Sequence, residues 1–165
     1  KKTQQDFLNR EWVQRLLDAG VDMSDAKYYI YSKNSYTKEI GFKEEGIFVD
    51  VKIDNAENFV GSMYNWILPT YTVSELLYKL HEWIYPTIDG KKYSGGLKLS
   101  KDAPFYFAYY DLHEQGKDSH LTEEFYAEEE FYAESEYPII SLACLLIQCH
   151  QKDIGIARKD VGNIR

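Results

Sequence analysis

Apolar side chains recur along this chain in two periods that replace one another, and a fold of a single secondary-structure class cannot satisfy both. Leu8, Trp12, Val13, Leu16 and Leu17 are spaced by threes and fours, with Arg10, Glu11, Gln14, Arg15 and Asp18 between them, which is the pattern of a helix with one buried stripe. From Ile47 the period drops to two. Ile47, Val49, Val51 and Ile53 share one face of an extended chain and Asp50 and Lys52 the other, because side chains of a strand alternate. This is the clearest strand in the chain, and its apolar face is expected to lie against the core. Helical spacing returns at Val73, Leu76, Leu77, Leu80 and Ile84, alternation at Phe105 to Asp111, and a helical run closes the series from Ile139 to Ile147. The order is helix, three or four strands, helix, three or four strands, helix. That order predicts an α+β fold, a mainly antiparallel sheet with about three helices packed on it.

Turn and cap residues set the expected boundaries. Gly20 stops the first helix, since glycine adopts the left-handed conformation that closes a helix. Tyr28, Tyr29, Ile30 and Tyr31 suit a strand over Lys27 to Lys33. A further strand at Lys38 to Lys43 is expected to reach Ile47 through a turn at Glu44-Glu45-Gly46, and another strand is placed around Phe59 to Leu68. Thr72-Val73-Ser74-Glu75 has the capping-box pattern, and Pro86 ends the helix it starts. Asp89-Gly90 and Gly95-Gly96 punctuate short strands near Lys91 to Tyr93 and Leu97 to Ser100, with Gly95-Gly96 read as a turn or bulge. Ser135 is the expected cap of the last helix, Pro138 falls in its first turn, and the helix runs to about Lys152.

At 165 residues the chain reads as one domain, with a weak subdivision near 66–70 that no Ser-, Gly- or Pro-rich linker supports. Cys144 and Cys149, the only two cysteines, turn about 140° from one another on a helix and should not pair. The absence of a disulfide framework points to a cytoplasmic setting. The longest apolar run, Ile139 to Ile147, is interrupted by Ser141 and too short to cross a bilayer.

Charge is concentrated rather than spread. The net charge is −8 overall, but residues 1–101 carry as many basic as acidic groups, while residues 102–150 hold eleven acidic side chains against Lys117 alone. A local negative field repels phosphates and anionic lipid, so direct nucleic-acid binding and membrane binding are excluded for this segment. Its centre, Glu123 to Glu134, is Glu-Glu-Phe-Tyr-Ala-Glu written twice. A repeat of six puts Phe125 and Phe131 on one face of a strand but about 120° apart on a helix, and strand is preferred. Glu124, Glu128, Glu130 and Glu134, with Tyr126 and Tyr132, then form a candidate interaction surface. It would suit a basic protein partner or a second copy of the chain, or mimicry of nucleic-acid phosphates. Calcium binding wants a Gly-containing loop that this stretch lacks, and the plainest alternative is a solvated edge whose charges deter aggregation.

Chemistry-bearing residues are sparse. Asp111, His113 and His120 fall in the densest group of potential ligands, Asp111 to His120, and together with nearby carboxylates would suit a divalent metal or an acid/base enzyme, although their spacing matches no metal signature. His81-Glu82 is expected on the polar side of the second helix. Cys149 and His150, as helix neighbours, point about 100° apart and cannot form an activated pair. No phosphate loop, nucleophile elbow or paired Cys motif occurs, and no cofactor is implied.

Two stretches, Leu68-Pro69-Thr70-Tyr71-Thr72-Val73-Ser74-Glu75-Leu76-Leu77 leading into Trp83-Ile84, and Glu136-Tyr137-Pro138 with the apolar helix to Gly155, join the Tyr-rich strand at 105–110. Over about the last hundred residues they resemble small uncharacterised α+β proteins of gut bacteria and their mobile elements. That resemblance implies an accessory or interaction role and assigns no site residues. The function expected is non-catalytic protein interaction through the acidic, aromatic C-terminal half.

Overall fold

A computed structural model describes residues 6–116 and 132–152. These form eight strands and three helices in the order α1 (Arg10–Asp18), β1 (Tyr28–Thr37), β2 (Gly41–Val51), β3 (Tyr64–Thr70), α2 (Val73–Lys79), β4 (Trp83–Ile84), β5 (Thr87–Ile88), β6 (Lys91–Asp102), β7 (Phe105–Glu114), β8 (Tyr132–Ser135) and α3 (Pro138–Gln151), with a 3-10 turn at Ala56–Phe59. The fold is α+β and mainly sheet. The strands form two antiparallel sheets rather than one, in the orders β2-β1-β3 and β4-β6-β7-β8, with β5 paired to β6.

Local chemistry explains the helix ends. Asn9 accepts the amide of Trp12 through its side chain to open α1. At the far end Gly20 takes φ +88°, which lets the amides of Gly20 and Val21 reach the carbonyls of Leu17 and Leu16. Thr72 and Glu75 make the reciprocal capping box of α2. That helix stops at Lys79, earlier than the apolar spacing predicts. Leu80 is already extended, and Trp83-Ile84 pairs with Gly96 and Gly95 as a strand. His81 and Glu82 therefore sit in a link, not on a helix face. The Tyr110 hydroxyl donates to the His81 carbonyl (2.6 Å) and the Leu97 amide to that of Glu82 (2.8 Å), pinning the link to the second sheet.

Gly95-Gly96 is neither turn nor bulge but the middle of the continuous strand β6. A Cβ at Gly95 would lie 2.6 Å from Leu112 Cδ2 and 2.8 Å from the Asp111 carbonyl oxygen, while the Trp83 ring lies 3.5 Å from where a Gly96 Cβ would be. The glycines thus mark close approach, not a change of direction. Asp89-Gly90 does break the chain before the strand at Lys91, as a two-residue hairpin turn with both residues at positive φ. Ser135 belongs to β8. Tyr137 occupies the cap position of α3 with no side-chain cap bond, and Pro138 opens the helix.

The main core lies between α3 and the inner faces of both sheets. Leu142, Ala143, Leu145 and Leu146 of α3, Ala108, Tyr110 and Leu112 of β7, Val13 and Leu16 of α1, Leu76 of α2 and Ile30 of β1 are buried together. A smaller cluster of Tyr31, Ala56 and Tyr64 covers the back of β1.

The strongest correction concerns the strand that alternates most cleanly. Ile47, Val49 and Val51 do not lie against the core; they are 54, 40 and 59 % exposed. Val49 pairs with Ile30, which is only 2 % exposed, so the two share a face and differ in what covers it. α1 packs on β3 and Ile30 of β1 joins the same buried cluster, whereas no residue of β2 does. The turn of this hairpin also lies elsewhere than expected, at 38–40, where Thr37 Oγ1 accepts the Ile40 amide and Gly41 turns the chain at φ +72°. Glu44-Glu45-Gly46 is within β2. Lys33 faces both Glu45 and Gly46 between the pairs Ser32 with Ile47 and Asn34 with Glu44, a bulge that Gly46 accommodates at φ +129°. The strand expected around Phe59 to Leu68 begins later, at Tyr64, after the 3-10 turn.

Candidate functional site

The β1–β2 hairpin projects because its third strand ends early. Regular pairing of β3 with β1 stops at Lys33 and Tyr64, followed by one bond from the Asn34 amide to the Met63 carbonyl (2.9 Å), so residues 35–37 and 41–43 continue as a two-stranded ribbon. Register shifts fall at Ser32–Lys33 on the β3 side and Ser32–Asn34 on the β2 side. Bulges in both ladders fall at one level, where a local increase in twist accompanies the end of the three-stranded pairing.

This arm carries an unusual share of bare apolar surface. Seven of the fifteen large apolar side chains exposed among the described residues lie on it, from Tyr36 to Val51, and three more, Phe59, Val60 and Met63, follow before β3, so the exposure is regional. Tyr36 and Phe42 pair near the tip with ring centroids 5.2 Å apart, and Ile40 stands in the turn. Further back, Phe48 stacks on Tyr31 at 5.8 Å with the Lys33 ammonium 5.6 Å from the Phe48 ring. Burial raises the Tyr31 hydroxyl above the ordinary tyrosine range, with Asp50 adding to the effect. The opposite face bears Ile47, Val49 and Val51. Isolated apolar side chains on a surface are ordinary; a contiguous group on one element marks a contact site.

The free edge of β2 is partly protected. The amide of Lys52 donates to the carbonyl of Lys27, so by alternation the amides of Val51, Val49 and Ile47 point away from β1. Asp50 Oδ1 takes the Val51 amide at 2.7 Å, and the bulge interrupts the edge at Glu45-Gly46. Ile47 and Val49 are left with outward backbone groups between these two blocks.

A second constellation is buried and was not apparent from the sequence. Lys79 of α2, 2 % exposed, donates to Asp25 Oδ2 (3.0 Å) and to the Asp22 carbonyl (3.1 Å). The Tyr71 hydroxyl donates to Asp25 Oδ1. Burial, followed by that hydrogen bond and the charge of Asp25, drives the Tyr71 hydroxyl far above the usual tyrosine range. Ser24 amide and hydroxyl donors hold the Asp22 carboxyl below its ordinary value, against a small opposing effect of burial. Glu75 is buried as well, one oxygen taken by Thr72 and Oε2 unpartnered. These groups tie the loop after α1 to α2. The signal available beforehand was Lys79 itself, three residues after Leu76 and directly before Leu80 on the apolar side of its helix.

The residues singled out from the sequence are only partly brought together. Asp111 and His113 are two apart on β7 and share a face, with His113 Nε2 3.3 Å from Asp111 Oδ2 and both side chains partly exposed. His120, Glu124, Tyr126, Glu128 and Glu130 lie outside the described residues. Among the described residues no group of three His, Cys, Asp or Glu side chains is placed to hold a metal ion. Glu134 is exposed on β8, and the backbone of Tyr132 pairs with Tyr109, so the described end of the acidic tandem is strand. Cys144 and Cys149 are both free thiols. Burial pushes the Cys149 thiol up to about 12 and raises Cys144 as well, the latter opposed by Arg15. An open groove of about 400 Å3, lined by Trp12, Arg15, Asp18, Cys144, Ile147 and Gln151, runs between α1 and α3.

The class these features define is an α+β protein of two antiparallel sheets with a projecting, apolar β-arm. Comparison with models of known protein families, with curated proteins and with solved structures gives no match. No helix among the described residues is long and apolar enough to cross a membrane.

Proposed function

We propose that the protein is a non-catalytic interaction module that engages another protein chain through the β1–β2 arm. The observation that carries this reading is the bare apolar surface concentrated on residues 36–63, continuous in sequence with strands that elsewhere bury the same residue types. Fully burying a Val, Ile or Phe side chain is worth about 1.5–3 kcal/mol. A fold that leaves several of these side chains uncovered on one strand forgoes that stabilisation, and a partner that covers them recovers it.

The acidic second half then sets a preference rather than the contact itself: it disfavours nucleic acid as the partner of the arm. Free cysteines fit a reducing, cytoplasmic setting. The alternative, an acid/base or metal-dependent enzyme centred on His113 and His120, has His113 and Asp111 side by side on β7, and among the described residues no third ligand joins them.

A photo-crosslinking residue placed at Phe42, 64 % exposed, tests the reading in extract of the native source. Discrete protein adducts at Phe42 and none at the exposed control position Ser100 are expected. Equal labelling at both positions would remove the arm from consideration.

A further inference from the structure

Resting on the arm as contact surface, we infer that its partner is a second copy of this chain, joined edge to edge through β2 in antiparallel fashion about a twofold axis at Phe48. Backbone geometry selects this arrangement. The outward hydrogen-bonding groups of β2 belong to the odd-numbered residues 47–51, since the Lys52 amide points at Lys27 and the Val51 amide is taken by Asp50. Only Ile47 and Val49 remain between that block and the bulge at Glu45-Gly46. A strand with two such positions satisfies an identical strand if Ile47 of each copy bonds Val49 of the other. Pairing odd with even residues would turn bonding groups against non-bonding ones and mix the faces.

That register has two further consequences, both favourable. Phe48 meets its own symmetry mate as a close, non-hydrogen-bonded pair, on the face where it already stacks on Tyr31. Ile47 and Val49 of both copies come together on the opposite face, which continues the buried face of Ile30. The charges agree as well. Glu45, which stands opposite Lys33 in the bulge and so on the face of Phe48 and Lys52, comes beside Lys52 of the other copy, and the arrangement repeats by symmetry.

The test uses the whole chain by analytical ultracentrifugation across a wide concentration range. Wild type is expected to pass from monomer to dimer, and Val49→Pro, which removes only an outward amide on an edge strand, should weaken the dimer by about tenfold or more while the far-ultraviolet spectrum stays unchanged. Val49→Lys serves as a second disrupting variant. In a Cys144→Ser background, Phe48→Cys should form an intermolecular disulfide on mild oxidation and Lys43→Cys should not. Wild type that remains monomeric to several hundred micromolar, or a dimer indifferent to Val49→Pro, Val49→Lys and Phe48→Cys, would overturn the inference. The Phe42 crosslinks separate the two claims: a monomer that still gives arm-specific adducts loses only the second copy, and a monomer without them loses the arm as well.

Discussion

The two sheets are built from similar residues and end in opposite environments. In the second sheet β7 presents Ala108, Tyr110 and Leu112 to α3, and all three are fully buried. In the first, Ile47, Val49 and Val51 of β2 alternate just as regularly and no helix covers them. The difference lies in coverage rather than in strand chemistry: α3 packs on β7 and β8 and α1 packs on β3, while no residue of β2 joins the core they build. Alternation in sequence specifies a face, and the position of the strand in its sheet decides whether that face belongs to the core or to a partner.

Substitutions in the covered half should cost most. Lys79→Ala leaves the Asp25 carboxylate buried beside Tyr71 without its ammonium, and a loss of about 3–5 kcal/mol in urea unfolding is expected. A loss within the error of the method would show that this tie is dispensable. Next comes Gly95→Ala. Its Cβ would meet both Leu112 and the Asp111 carbonyl below 3.0 Å, which predicts about 1–3 kcal/mol of destabilisation and a matching drop in Tm, where an interior strand glycine in open space would gain slightly from alanine.

A smaller effect follows from Tyr71. Its proton is held in the folded state well above the range in which the unfolded chain releases it, so the unfolded state binds fewer protons above about pH 10. Stability from this group is fully present below about pH 10 and falls as pH rises beyond it. Tyr71→Phe should flatten that alkaline decline, and an unchanged pH dependence would argue against the buried hydrogen bond to Asp25. Smallest of all, Ile47→Thr and Val49→Thr on the bare face should shift the stability of dilute protein by no more than about 0.5 kcal/mol, an outcome that sharpens the contrast because the same exchange at Ile30 should cost more.

Much of the fold was readable because local chemistry decided it. The Thr72 to Glu75 capping box, the Gly20 helix stop, the Asp89-Gly90 turn and the apolar stripe of α3 each depend on neighbours in sequence. What was misread depended on distant partners. Gly95-Gly96 has the composition of a turn, and only the approach of Leu112 and Trp83 from other strands explains glycine inside β6. Ile84 completes a helical stripe by spacing and is drawn into β4 by its pairing with Gly95. Glu44-Glu45-Gly46 resembles a turn because a bulge also asks glycine for positive φ. The site was less legible than the fold. The acidic tandem drew attention by charge and repetition, whereas the arm was hidden behind an alternation that ordinarily signals core. The Asp25–Tyr71–Lys79 group was hidden because its members are far apart in the chain.

Carbene footprinting of dilute protein, read by mass spectrometry residue by residue, tests the central claim most directly. Strong labelling at Phe42, Ile47 and Val49 with little at Leu142 and Leu146, and loss of the arm labels as concentration rises, is the result expected for an apolar arm that the chain leaves bare for a contact. Arm side chains that stay unlabelled at every dilution would mean that the chain itself covers them, and the contrast between the two sheets would disappear.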